Sequence, residues 1–233
     1  MGLYFLEYGP PPRAVRVLYD RRESALSQLV PDEVDWGLVR DARMVHLSGI
    51  TPALGENLRA VIRRACREAQ DAGVPISFDV NYRSRLWSAK EARDFLAEVL
   101  PAVRYLFIGS DDAATVFELA GPPEAVLNGL RKIAPAATIA LTLGEAGSAV
   151  LTDRGVHRPS KLYTVSVVDR VGAGDAYAAG FLWATLTGRG AQQAVDAATA
   201  LAALKCTIWG DVSIVSRPEL EELLATDSTE IRR

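Results

Sequence analysis

Cysteine is scarce: Cys66 and Cys206 are the only two in 233 residues. Two distant thiols exclude a disulfide framework and make no metal-type spacing. Both fall in helical patterns and read as buried free thiols of a reducing compartment, the cytoplasm. No uncharged apolar run approaches the ~18 residues of a membrane span. The opening residues lack the charged-then-apolar order of a signal peptide, and Leu6 breaks the myristoylation pattern after Met1-Gly2. Positive charge is not in excess. The net charge is −3 and the isoelectric point is near 5.5, which removes the electrostatic case for nucleic acid or an anionic membrane as partner. No Gly-Lys-Ser/Thr follows any glycine-rich turn, so a Walker loop is absent too. What remains is ordinary for a soluble globular protein, with 49% hydrophobic and 24% charged residues. The length suits one α/β domain with room for a small appendage.

The chain opens on a hairpin-like pair. Gly2 to Tyr8 reads as a strand, Gly9-Pro10-Pro11-Pro12 turns it, and Ala14 to Tyr19 reads as a second strand. A polar segment of undefined structure follows, from Asp20 to Asp35. From Met44 the rhythm becomes β-α-β-α. Met44 to Ile50 is a short strand; Leu58, Val61, Ile62, Ala65, Cys66 and Ala69 share one helical face that Gly73 closes. Val74 to Val80 is the next strand, and Ser88-Ala89-Lys90-Glu91 is a capping box for a helix reaching Leu100. Arg104 to Ile108 is a strand, with Ser110, Asp111 and Asp112 available to cap the helix after it. Gly121-Pro122-Pro123 breaks that helix, and another runs to about Lys132. Ala137 to Leu143 and Ser148 to Leu151 form an antiparallel pair. Two Ala-rich helices, 175–186 and 191–207, precede a last one at 218–225, and the final polar residues read as frayed. Alternating strands and helices on short loops predict a mostly parallel sheet covered on both faces, with ligands at the carboxyl ends of its strands.

One stretch organises the rest. The β-branched run Val165, Val167, Val168 is read as a strand that feeds the turn Gly172-Ala173-Gly174, and an Ala-rich helix follows at once. That layout aims free backbone N–H groups at an anion. Asp175, in the first helical turn, is placed to accept a proton from a hydroxyl attacking phosphorus. A bare Gly-Ala-Gly-Asp is equally served by an ordinary helix start, since the macrodipole favours an acid there. In Phe78 to Trp87, Arg83 and Arg85 stand beside Tyr82 and Trp87 and offer forked donors for a carboxylate or phosphate. A solvated loop with locally paired arginines is the alternative. Leu141 to Gly147, taken alone, is a hairpin with a glycine turn.

The string Asp169-x-Val171-Gly-Ala-Gly-Asp-Ala-Tyr-Ala-Ala-Gly-Phe181 resembles the C-terminal signature of the ribokinase-like (phosphofructokinase-B type) carbohydrate kinases. The resemblance extends from Gly2 to about Leu224. Asp79-x-Asn81-Tyr82-Arg83-x-x-Leu86-Trp87 is similar to the 2-keto-3-deoxygluconate kinase subgroup within it. The resemblance implies an ATP-dependent phosphorylation with Mg²⁺ bridging the nucleotide oxygens. Asp175 would be the base, with the Gly172, Ala173 and Gly174 amides stabilising charge. It places Arg83 on the carboxylate of a sugar acid, with Asn81, Tyr4, Tyr19 and Arg21 also touching substrate. Ser110, Thr142, Gly144, Gly147 and Thr199 would join the glycine turn around the nucleotide. The family's acid three residues after Ser110 is Ala113 here, with Asp111 and Asp112 adjacent.

The fold so implied is ribokinase-like α/β. Residues 1–35 would be a partial β lid and connector, 36–226 the kinase domain and 227–233 a polar tail. Family members begin with a strand, a Gly-Gly sugar-binding element and further lid strands. The sequence enters mid-hairpin, so the expectation is a kinase lacking the N-terminal part of the fold, and one that self-associates as a homo-oligomer. Two other readings stand beside the sugar-acid kinase. One is a fructokinase- or ribokinase-like enzyme for a neutral sugar. The other is a nucleotide-binding remnant impaired in catalysis.

Overall fold

The computed structural model describes residues 2–9, 13, 16–20 and 23–226. The chain divides into two units. One comprises Met1–Leu106, Thr115–Phe117 and Ile133–Ala136; the other comprises Phe107–Ala114, Glu118–Lys132 and Ala137–Arg233.

In the first unit, β1 (Leu3–Glu7) and β2 (Arg16–Asp20) pair antiparallel, Leu3 opposite Asp20 and Glu7 opposite Arg16. The proposed turn at Pro10–Pro12 lies outside the described residues, as do Arg21 and the tail 227–233. The polar segment holds a short helix α1 (Ala25–Gln28) and a 3₁₀ turn (Pro31–Glu33) before α2 (Trp36–Arg40), which Asp35 caps by accepting from the Gly37 N–H at 2.9 Å. β3 (Val45–Ser48) pairs parallel with β4 (Ile76–Asp79), and α3 (Ile50–Ala53) and α4 (Glu56–Asp71) cross between them. The periodic stripe read from α4 is the buried one: Leu58, Val61, Ile62, Ala65, Cys66 and Ala69 are all in the core. Each large aliphatic side chain so buried contributes about 1.5–3 kcal/mol relative to exposure. The capping box of α5 (Ala89–Val99) closes in both directions. Ser88 Oγ accepts from the Glu91 N–H at 3.2 Å, and the Glu91 carboxylate accepts from the Ser88 N–H at 2.9 Å.

β5 (Tyr105–Gly109) leads directly into α6 (Ser110–Phe117). Here the expected cap is corrected: Gly109 is the N-cap, no side chain caps the helix, and Ser110 is already its first residue. α7 (Pro123–Ile133) follows the Gly-Pro-Pro break. In the second unit β6 (Thr138–Thr142) pairs antiparallel with β7 (Ser148–Thr152) around a 3₁₀ turn at Gly144–Ala146, and β7 pairs antiparallel with β8 (Gly155–His157). Then come α8 (Ala173–Leu186), α9 (Ala191–Lys205) and α10 (Arg217–Ala225). The strands are hydrogen-bonded in the order β3-β4-β5-β6-β7-β8, a mostly parallel six-stranded sheet of the ribokinase-like α/β class.

The small residues of α8 and α9 let their backbones meet. A Cβ on Gly180 would come within 2.7 Å of the Ala197 carbonyl oxygen. Phe107 stands edge-on to Tyr177 and Phe181, at 6.4 and 5.6 Å between ring centroids. Two further expectations are corrected. The Val165–Val168 run is not a strand: the Val168 and Asp169 N–H groups donate instead to the Cys206 carbonyl beyond the end of α9, at 2.8 and 3.2 Å, and Val167 and Val168 are exposed. An N–H given to a helix end is not available to a strand ladder. Cys66 is buried as read, but Cys206 is only partly so. No helix among the described residues is long and apolar enough to cross a membrane.

Candidate active site

Gly172 is the N-cap of α8, with φ at 80°. Its missing side chain is accounted for within the chain, because a Cβ there would stand 2.2 Å from the Asp211 carbonyl oxygen. Gly174 differs. Its φ is not positive, and a Cβ on it would meet nothing within 4 Å. The position that keeps a backbone open to a ligand is therefore 174. The Ala173 N–H donates to the Arg170 carbonyl at 3.2 Å, whereas the N–H groups of Gly172, Gly174 and Asp175 have no partner among the described residues. Free N–H groups at a helix start, with the dipole behind them, form an anion site. Asp175 is the third residue of α8 and its side chain is exposed.

The turn opens on a cleft of about 550 Å³, a volume usual for small-molecule sites. Of the residues expected around the nucleotide, Thr142, Gly144, Gly147, Ala173, Gly174 and Thr199 line it; Ser110 and Gly172 do not. Ser110 follows Gly109, where an added Cβ would lie 3.7 Å from Thr142 Oγ1. Thr199 Oγ1 is turned inward, donating to the Val195 carbonyl at 2.9 Å. No group of three or more His, Cys, Asp or Glu side chains converges among the described residues. A divalent cation here would rely on phosphate oxygens and waters for most of its ligands, as Mg²⁺ commonly does.

Several cleft residues escaped the sequence reading. Tyr177 donates its hydroxyl to Ser148 Oγ at 2.8 Å, and burial pushes its pKa up to about 12. Arg170 and Glu145 pair at 2.6 Å between two cleft-lining turns, in an exposed contact worth little by itself. Beneath the turn, Asp169 is 4% exposed, and its carboxylate accepts from the Val171 and Gly210 N–H groups, each at 3.0 Å. Lys205 is fully buried. Its burial was legible, seven residues after Ala198 on the buried stripe of α9, but not its partners.

The first unit carries the other candidate residues. At the end of β4, Asn81 has φ of 38°, a left-handed conformation that asparagine tolerates better than most residues. The Arg83 guanidinium donates to the Tyr82 carbonyl at 2.9 Å and has no carboxylate partner among the described residues. Arg85 instead donates to the Val17 carbonyl of β2 at 3.0 Å. Tyr4 and Tyr19 face each other across the hairpin, ring centroids 6.4 Å apart.

Comparison with known proteins finds relatives that match along most of the chain. A 2-dehydro-3-deoxygalactonokinase from Haloferax volcanii is 36% identical over 223 residues, which are 96% of this chain and 70% of that protein. A 2-dehydro-3-deoxygluconokinase from Thermoproteus tenax is 34% identical over 227 residues, 96% of this chain and 68% of that one. The crystal structure of 2-dehydro-3-deoxygluconokinase from Thermotoga maritima matches with a TM-score of 0.90 at 32% identity, over 97% of this chain and 73% of that one. The sequence pattern of the pfkB family carbohydrate kinases matches residues 2–216, and the chain belongs to that family, whose members are sugar phosphotransferases.

Proposed function

We propose that this kinase transfers the terminal phosphoryl group of ATP to a hydroxyl of a 2-keto-3-deoxy sugar acid, of the gluconate or galactonate series. The observation that carries the substrate class is Arg83, a half-buried guanidinium with no carboxylate partner of its own among the described residues. A guanidinium left without an anion favours a ligand that supplies one, and the planar fork matches a carboxylate. The names of the most similar relatives point to the same class of acid. Asn81, Tyr4 and Tyr19 are assigned to the sugar hydroxyls.

ATP would supply the phosphoryl group, and Mg²⁺ on its phosphates would neutralise charge. The chain's part is to bind, orient and move one proton. The N–H groups of Gly174 and Asp175 face the transferring phosphate, in an arrangement that needs no reorganisation during the reaction. The Asp175 carboxylate takes the proton of the attacking hydroxyl. Thr142, Gly144, Gly147 and Thr199 form the walls for the nucleotide.

The test is Asp175→Asn, which keeps the shape and removes the base. Sugar-acid phosphorylation should fall by ~10²–10⁴, while ATP affinity measured by calorimetry changes no more than about threefold. Full turnover in this variant would refute the assignment.

A further inference from the structure

Lys205 ends α9 with an exposure of 0%. Its ammonium donates to two backbone carbonyls, Asp169 O at 3.3 Å and Ile208 O at 3.1 Å, and no carboxylate lies within ion-pair distance among the described residues. Those carbonyls belong to the two segments that meet under the phosphate turn. The same segments are joined by the Asp169 carboxylate, which accepts from Val171 and Gly210 N–H, and by the Cys206 carbonyl, which accepts from Val168 and Asp169 N–H. They touch again where the Asp211 carbonyl closes on Gly172. All these contacts lie within the second unit.

A buried ammonium is a costly way to fill a core. Desolvation opposes it, and an apolar side chain of equal length would fill the space with no charge to satisfy. Stability therefore gives little reason for a lysine here. Its distinctive contribution is directional: it draws the Asp169 and Ile208 carbonyls toward one point. That sets the path of the chain three residues before Gly172.

We infer that Lys205 is a positioning residue for phosphoryl transfer: its buried ammonium holds the 168–172 and 206–211 segments so that the Gly174 and Asp175 N–H groups and the Asp175 carboxylate stand in register. The inference rests on the assignment of that turn to the transferring phosphate. It concerns alignment in the transition state, where displacements of an ångström are expensive, and not the walls that bind the nucleotide.

The experiment compares Lys205→Met, which keeps length without donors, and Lys205→Gln, which keeps an N–H₂ group near the same place, with the parent chain and Asp175→Asn. Lys205→Met should melt as high as the parent and bind ATP within about threefold, yet show kcat lower by ~10–100-fold, with Lys205→Gln in between. Hydrogen exchange of the bonded Val168, Asp169, Val171 and Gly210 amides should quicken in Lys205→Met while α4 and β4 stay protected. An unchanged kcat in Lys205→Met, with Asp175→Asn inactive, overturns the inference and spares the assignment of the turn. Should Lys205→Met fail to fold, Lys205→Gln decides alone: a folded protein with reduced kcat and unchanged ATP affinity sustains the inference, and parental kcat overturns it. If both variants unfold, Lys205 is a scaffold residue and the inference fails. Full activity in Asp175→Asn would instead remove the assignment on which it rests.

Discussion

Gly172 and Gly174 stand one residue apart and answer to different constraints. Gly172 adopts φ of 80°, and a Cβ would stand 2.2 Å from the Asp211 carbonyl oxygen. Gly172→Ala should lose about 1–2 kcal/mol from backbone conformation alone and more from the clash, seen as a lower melting temperature. Gly174 has no such strain and open space where a Cβ would point. Gly174→Ala should melt within about 1 kcal/mol of the parent, since alanine favours a helix, but raise the ATP KM several-fold because the new methyl enters the cleft. Equal melting temperatures for the two variants would contradict this division. The motif reading gave the amides of Gly172, Ala173 and Gly174 one shared role; it found the turn, but not which glycine faces a neighbouring segment of the chain.

At the scale of elements, caps and stripes were the legible features. The α4 stripe and the capping box at Ser88 each involve residues within a turn or two of one another, so sequence spacing carries them. Ser88→Ala should cost about 1 kcal/mol and lower the melting temperature at pH 7. Glu91, the other half of that box, has its carboxyl held below the ordinary range by the Ser88 N–H and hydroxyl. A depressed folded pKa means that this contribution is complete above the unfolded value and is lost as pH falls through the folded one. The gap in melting temperature between the parent and Glu91→Gln should therefore be widest near pH 7 and close as pH drops below about 4; a constant gap would exclude the carboxylate. The strand expected at Val165–Val168 failed because β propensity is a local preference. A helix end out of local reach supplied the partner for the Val168 N–H and for that of Asp169 after it.

For the molecule as a whole, the nucleotide cleft lies in one unit and Arg83 in the other. Their binding energies should be separable. ATP at about 100 times its Kd should stabilise the parent and Arg83→Ala alike, by about 2.7 kcal/mol. Arg83→Ala should raise KM for the keto-deoxy acid by ~10–100-fold, the value of a charge-assisted contact, and leave KM for a neutral sugar within about threefold. Arg85→Ala should change both KM values less, because that guanidinium is exposed, with one N–H held by the Val17 carbonyl, whereas Arg83 is half-buried. A neutral sugar as best substrate for the parent would remove the carboxylate reading. The sequence alone determined the alternation of strands and helices, the helix faces and caps, the glycine turn with Asp175 behind it, and through the motif at 169–181 the family of sugar kinases. Such features live in spacing and residue type. Tertiary structure alone decided which arginine is tied to a distant strand, which glycine is open, and that a lysine from α9 lies beneath the turn. Each of those depends on a contact between segments far apart in the chain, and no local pattern records which distant atoms will compete for the same hydrogen bond or the same space.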